Sequence, residues 1–78
     1  MKYSTDDAFH AVNRFFDVNY DATLSSDGFE RLQYGWCEWL LDVVVCVLSN
    51  DLNGSKRKYI ACDDIVYQYC VDNKLFIR

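Results

Sequence analysis

The chain has 78 residues, no proline, three glycines and a formal net charge of −4. This length allows one domain, and the scarcity of turn residues favours helices with short connections over a turn-rich sheet fold. Hydrophobic residues make up 51% and charged residues 26%, which excludes a disordered tail. The negative charge makes the chain alone a poor ligand for phosphate backbones, so any nucleic-acid role would require a basic partner.

The sequence predicts an intracellular protein. Residues 1–7 lack the apolar run of a signal peptide. The longest apolar block carries Glu38 and Asp42 and is shorter than the ~20 residues of a bilayer span, so no membrane association is expected. The cysteines show no metal-ligand spacing, and we expect them to be reduced, buried thiols rather than metal ligands or a disulfide. They are Cys37, Cys46, Cys62 and Cys70.

Residues 5–18 are predicted to form a first short helix. Thr5, Asp6 and Asp7 offer capping side chains at its start. Apolar residues recur at helical spacing and predict a buried face. This face comprises Ala8, Phe9, Val12, Phe15 and Phe16. A loop over residues 19–24 follows.

A second, long helix is predicted from the caps at residues 25–27 to about Leu48. Gly35 is the only glycine between residues 29 and 52. Beyond it, the polar residues reduce to a narrow line through Glu38, Asp42 and Ser49, and a helix apolar on nearly all sides is buried on nearly all sides. A buried strand over residues 43–48 is the alternative. We expect this block to be too apolar for a monomer of this size to cover, which predicts a partner chain.

A second loop and a third short helix complete the predicted fold. Residues 50–55 end the long helix, with Gly54 available for a left-handed turn. A basic run over residues 56–58 and a short extended piece over 59–61 come next. The third helix begins at Cys62 or Asp63, and the C-terminal residues are apolar enough to pack back onto the domain. The predicted inner face of this helix is Ile65, Val66, Tyr69 and Cys70.

The layout of short, long and short helices resembles the histone fold. Residues 35–45 and 56–67 align without a gap with the tetramer-forming core histones, in which a Lys-Arg-Lys run also precedes a short strand and an Asp-x-Val-Tyr helix. The resemblance implies an all-α histone fold over a single domain of residues 1–78. It also implies a structural clamp between Arg57 and Asp64.

Residues 24–29 and 39–45 are similar to the CENP-X family of small, tail-less histone-fold proteins. That family pairs obligately with CENP-S, and the pair assembles into DNA-binding tetramers in kinetochore assembly and in the Fanconi anaemia repair pathway. The resemblance implies a nuclear, non-enzymatic subunit that forms a handshake dimer with another histone-fold chain. The implied dimer interface comprises Trp36, Trp39, Leu40, Val43, Val44, Val47 and Leu48.

The basic run is the candidate DNA-binding site. Lys56, Arg57 and Lys58 would contact phosphates without reading bases, whereas the structural alternative is a solvated loop with Arg57 paired internally. No catalytic residues, metal, cofactor or small-molecule substrate are expected, because no Ser, Cys or His arrangement occurs at motif spacing. His10 is interpreted as a surface or structural residue. Two other functions remain as alternatives: a transcription-factor-type assembly subunit, and a small acidic viral inhibitor or DNA mimic.

Overall fold

The structure is a computed structural model that describes residues 4–52, 55, 57 and 59–77. Its helices are α1 (Thr5–Tyr20), α2 (Ser26–Gly35), α3 (Cys37–Leu48) and α4 (Asp63–Asp72), with a 3-10 turn at Ile60–Cys62 before α4. These residues form no strand, and a lone antiparallel bridge joins Leu24 to Phe76. The all-α prediction is therefore confirmed. In this part of the chain, no helix has the length and apolar character needed to cross a membrane.

The start of α1 is fixed by reciprocal hydrogen bonds in its first turn. The Asp7 backbone N–H donates to the Ser4 hydroxyl at 3.1 Å, and the Ser4 N–H donates to the Asp7 carboxylate at 3.2 Å. This capping box satisfies two backbone groups that the helix leaves unpaired. The helix ends where Asp21 adopts a left-handed conformation with φ of 52°. The predicted helix is confirmed, with Ser4 as its cap.

The predicted long central helix is wrong, because the chain breaks it at Trp36. This residue has φ of −136° and ψ of 44°, outside the helical region. Its N–H still donates to the Leu32 carbonyl and its own carbonyl accepts from Leu40, each at 2.9 Å. The interruption therefore spans one residue. Gly35 immediately before it has low helix propensity, and the alternative strand over residues 43–48 is also wrong because those residues are helical.

The break lets a single chain cover most of the apolar block. Five of the seven residues predicted for a dimer interface are buried within the monomer, where α3 packs against α1. They are Trp39, Leu40, Val43, Val44 and Val47. Trp36 is half-buried and Leu48 is exposed. The prediction that a monomer cannot cover this block is wrong for the inner face of α3, which packs mainly against α1, but Leu41, Val45 and Leu48 on its outer face stay exposed.

The C-terminal segment packs against the start of α2, as predicted. Leu75 is buried, and its carbonyl accepts a hydrogen bond from the Ser25 N–H at 3.2 Å. The Ile77 N–H donates to the Thr23 carbonyl at 2.8 Å. A Cβ atom on Gly28 would overlap the Leu75 carbonyl oxygen. Gly28 therefore occupies the first turn of α2 because the returning chain leaves no room for a side chain.

Other predictions around the second loop need correction. Residues 60–62 form a 3-10 turn rather than an extended piece. The third helix begins at Asp63 as expected, but Ile65 is 57% exposed rather than on its inner face. Asn50, with φ of 65°, adopts a left-handed conformation after α3. Gly54, predicted for that role, lies outside the described residues.

Candidate interaction surface

Arg57 forms a buried ionic cluster with two aspartates. Its Nη1 and Nη2 atoms donate to the two carboxylate oxygens of Asp63, and its Nε donates to Asp42 at 3.0 Å. The Arg57 side chain is 0% exposed. The Trp39 indole N–H donates to Asp63 at 2.8 Å, and the guanidinium carbon lies 4.8 Å from the centre of the Phe15 ring. The cluster thus ties α1, α3, the second loop and α4 together.

This geometry changes two site predictions. Arg57 cannot contact a phosphate group, because its guanidinium is buried and its donors point at Asp42 and Asp63. The predicted Arg57–Asp64 clamp is wrong by one residue, since the first turn of α4 directs Asp63 inward and Asp64 outward. Lys56 and Lys58, the other predicted DNA contacts, lie outside the described residues.

Asp64 binds a tyrosine instead of an arginine. The Tyr20 hydroxyl donates to the Asp64 carboxylate at 2.6 Å, and the Tyr20 ring stacks on Tyr67 with centroids 4.5 Å apart. Burial, followed by the Asp64 carboxylate, raises the pKa of Tyr20 well above its ordinary value. The pair joins the end of α1 to α4. It is a structural contact, because the tyrosine stays protonated and donates the hydrogen bond.

The outer face of α3 carries a row of exposed apolar side chains. Leu41 is 50% exposed, Val45 52% and Leu48 41%. Their spacing of four and three residues places them one above the other on a single helix face. We call these three residues the α3 stripe. The opposite face of the same helix forms the core, so α3 is apolar on two sides and covered on one.

Most of the charged residues near the α3 stripe are acidic, although Arg14 of α1 lines a cavity together with Leu48. Glu38 precedes it on an exposed position of the same helix, Asp42 lies beside Leu41, and Asp51 follows shortly after the helix ends. The sequence contains no lysine or arginine between Arg31 and Lys56. Asp42 forms an ion pair with Arg57, which offsets part of its negative charge. In the part of the chain that the structure describes, the border of the stripe is therefore acidic beside Glu38 and Asp42, whereas Arg14 adds a positive charge near Leu48.

Among the described residues, the other exposed large apolar side chains do not form such a row. They are Val18, Tyr34, Ile60, Ile65, Val71 and Ile77. On α4, Ile65 and Val71 are six residues apart and so face different directions. Single exposed apolar side chains are normal on protein surfaces. The α3 stripe differs because its members share one face of one helix.

The four cysteines occupy different environments, which corrects the expectation of four buried thiols. Cys70 is buried, Cys46 and Cys62 are half-buried, and Cys37 is exposed at the start of α3. Burial raises the pKa of Cys70 to about 12. Burial, followed by the Asp42 carboxylate, also raises the pKa of Cys46. All four are free thiols.

The other candidate chemical groups do not converge on one site. His10 is exposed on α1. Among the residues described, no set of three or more His, Cys, Asp or Glu side chains is arranged to hold a metal ion. Sequence reasoning predicted an internal ion pair of Arg57 but with the neighbouring aspartate, and it missed Asp42 and the α3 stripe. The spacing of Leu41, Val45 and Leu48 was visible, but apolar residues on every side of the block concealed which row would remain outside.

No family model matches the chain, and neither a curated protein nor a solved structure matches it.

Proposed function

We propose that the chain is a non-enzymatic helical subunit that binds another protein chain through the α3 stripe. One observation carries this proposal: Leu41, Val45 and Leu48 form an exposed apolar row on a helix whose other side is already packed in the core. A partner that covers the row would remove three large apolar side chains from water. Complete burial of such a side chain contributes roughly 1.5–3 kcal/mol, and since each of the three is already about half buried, a partner would add roughly half of that per residue.

The occupant is an amphipathic helix with basic residues along its borders. A straight apolar row on a helix fits the grooves of a second helix, which presents its own apolar residues at the same spacing. Lysine or arginine beside that apolar face would complement Glu38 and Asp51. A second copy of this chain would instead bring acidic borders together, and like charges oppose association.

The charged side chains that resemble catalytic groups have structural partners. Asp42 and Asp63 both accept hydrogen bonds from Arg57, and Asp63 also accepts one from Trp39. Asp64 accepts one from Tyr20. A catalytic acid or base must be able to reach a substrate proton. The engagement of these groups supports the non-enzymatic part of the proposal.

A designed peptide pair tests the partner chemistry. The probe is a synthetic amphipathic helix with a leucine row bordered by lysines, and its counterpart has glutamates at the same border positions. Calorimetry should show tighter binding of the lysine peptide, by about tenfold or more. Its NMR chemical-shift changes should centre on α3. Equal affinity for both peptides, or shift changes located away from α3, would refute the proposal.

Matched variants then locate the binding surface. Val45→Lys places a charge at the centre of the stripe and should weaken binding of the lysine peptide by about tenfold or more. Ile65→Lys adds the same charge at an exposed apolar position on α4 and serves as the control. Its affinity should stay close to that of the wild type. If both variants lose affinity equally, the peptide responds to net charge and not to the stripe.

A narrower candidate is a CENP-X-like histone-fold subunit, which would pair with another histone-fold chain in a nuclear DNA-binding complex. The alignment of residues 35–45 and 56–67 with core histones favours it. A handshake would require α2 and α3 to straighten across Trp36 and release Trp39 and Val43 from the monomer core. Sedimentation and thermal melting at increasing protein concentration test this hypothesis. A monomer whose melting temperature is independent of concentration would refute obligate pairing.

A further inference from the structure

A second concave site lies at the break between α2 and α3. It is a cleft of about 330 Å³ whose lining includes Trp36, Trp39 and Tyr59. Trp39 is 2% exposed, so Trp36 and Tyr59 provide the accessible aromatic surface. Glu38 and Cys62 also line the cleft. Trp36 and Tyr59 are half-buried, so parts of both residues remain accessible. The volume is at the lower end of the roughly 300–1,000 Å³ of small-molecule sites, which suits a single small group.

The electrostatic surroundings of this cleft favour a positive guest. The Tyr59 hydroxyl donates to the Glu38 carboxylate at 3.3 Å, which holds a negative charge beside the rings. Arg57 lies behind Trp39, but Asp42 and Asp63 bind its guanidinium. The charge of Arg57 is thus offset by its own two aspartates, and Glu38 is the carboxylate that lines the cleft. Aromatic faces add a negative quadrupole, which attracts a cation that has lost its water.

We propose that this cleft binds an alkylated ammonium group, presented as the methylated lysine side chain of a partner polypeptide. Methyl groups give the cation an apolar surface that the rings of Trp36 and Tyr59 can cover. An unmodified ammonium is strongly hydrated and would lose those water contacts. Glu38 offsets the charge without enclosing it. This site goes beyond the proposed role of the α3 stripe, because its guest is a single side chain and not a helix.

Three small ligands that differ in charge and in methylation test whether the cleft selects an alkylated ammonium group. The intact chain is titrated with N-acetyl trimethyllysine methylamide, with the neutral analogue that has a tert-butyl group in place of trimethylammonium, and with unmethylated N-acetyl lysine methylamide. NMR follows the two indole N–H signals. The trimethylated ligand should bind about threefold to thirtyfold more tightly than the neutral analogue. It should also bind more tightly than unmethylated lysine.

Equal affinity for the trimethylated and neutral ligands would overturn the proposal, because it would show an apolar cleft without charge selectivity. Preference for unmethylated lysine would also overturn it, since Glu38 alone would then account for binding. Absence of binding by the trimethylated ligand would do the same. These outcomes are independent of the helical-peptide experiment on the α3 stripe, so either proposal can fail alone.

Two variants assign the binding to named residues. Glu38→Gln keeps a hydrogen-bond acceptor for Tyr59 but removes the negative charge. It should lower the affinity for the trimethylated ligand and leave the affinity for the neutral analogue unchanged. Glu30→Gln removes an exposed carboxylate that does not line this cleft, and is the matched control. Trp36→Leu should lower the affinity for both ligands. Circular dichroism would reveal whether Trp36→Leu unfolds the protein. In that case the Glu38→Gln variant, which changes an exposed residue, still tests whether the cleft is the binding site. Equal effects of Glu38→Gln and Glu30→Gln would refute the assignment.

Discussion

Replacing Arg57 by methionine should destabilise the protein strongly, because it leaves two carboxylates without their buried cation. In the native structure the guanidinium donates to Asp42 and to both carboxylate oxygens of Asp63. Methionine fills a similar volume and keeps apolar contact with Phe15 and Trp39. The substitution therefore removes the charge and its hydrogen bonds with little loss of packing.

The size of the effect follows from the burial of the cluster. Removing one partner of a buried ion pair typically costs about 3–5 kcal/mol. A 78-residue domain has a total unfolding free energy of roughly 4–12 kcal/mol. The variant should thus lose a large fraction of its stability, and its melting temperature should fall by about 12 °C or more. Arg57→Lys should recover little of the stability that Arg57→Met loses, because a lysine ammonium cannot form the bidentate pair of hydrogen bonds that the guanidinium makes with Asp63.

Urea unfolding, followed by tryptophan fluorescence, measures this loss directly. Arg31→Met removes an exposed arginine from α2 and is the control, with an expected change within about 0.5 kcal/mol. Adding Asp63→Asn to Arg57→Met should recover part of the stability, because it removes one of the uncompensated charges. If Arg57→Met unfolds within about 0.5 kcal/mol of the wild type, the cluster contributes no net stability and our reasoning about it is wrong.

Two further predictions concern Gly28 and the thiols. Gly28→Ala should cost about 1–3 kcal/mol in urea unfolding, because the new methyl group overlaps the Leu75 carbonyl. Gly35→Ala should cost clearly less, because its methyl group would lie 3.3 Å from the hydroxyl at the end of the Tyr69 side chain, which can shift; equal effects would contradict the close packing around Gly28. At about pH 8 a thiol reagent should modify the exposed Cys37 rapidly and Cys70 only on unfolding, and fast Cys70 labelling by mass spectrometry would contradict its burial. Because burial raises the pKa of Cys70 to about 12, its stabilising effect is complete below the ordinary thiol pKa of about 8.5. The effect should decline as the pH rises towards the higher value, with a shallower decline in Cys70→Ala.

Local sequence signals predicted the short helices well because their causes are local. The cap at Ser25 before α2 and the aspartates that begin α4 act within one helical turn, whereas the cap of α1 is Ser4 and not one of the predicted residues 5–7. Apolar spacing identified most of the inner face of α1. The same rules failed at Trp36, where no proline marks the interruption. Gly35 was the only local sign, and a single glycine does not decide whether a helix continues.

The contacts of Arg57 could not be derived from the sequence, because they depend on how separate segments meet. Asp63 and Asp64 are adjacent and chemically identical, and the orientation of the first turn of α4 decides which one faces Arg57. That orientation depends on tertiary packing. Resemblance to another family selected Asp64, one residue away from the aspartate that the fold buries. One residue turns a side chain by about 100° around a helix, which here separates a buried ion pair at Asp63 from a surface hydrogen bond at Asp64.

The break at Trp36 links the core, the α3 stripe and the aromatic cleft. It ends α2 and lets α3 lie against α1, which covers Trp39 and Val43 within one chain. The inner face of α3 is then used, and the outer row that begins at Leu41 is what remains for a partner. The same break places Trp36 beside Glu38 at a concave corner that a continuous helix would not have. A variant that straightens the α2–α3 junction should therefore affect core stability and the cleft together. A charge at Val45 should affect only partner binding.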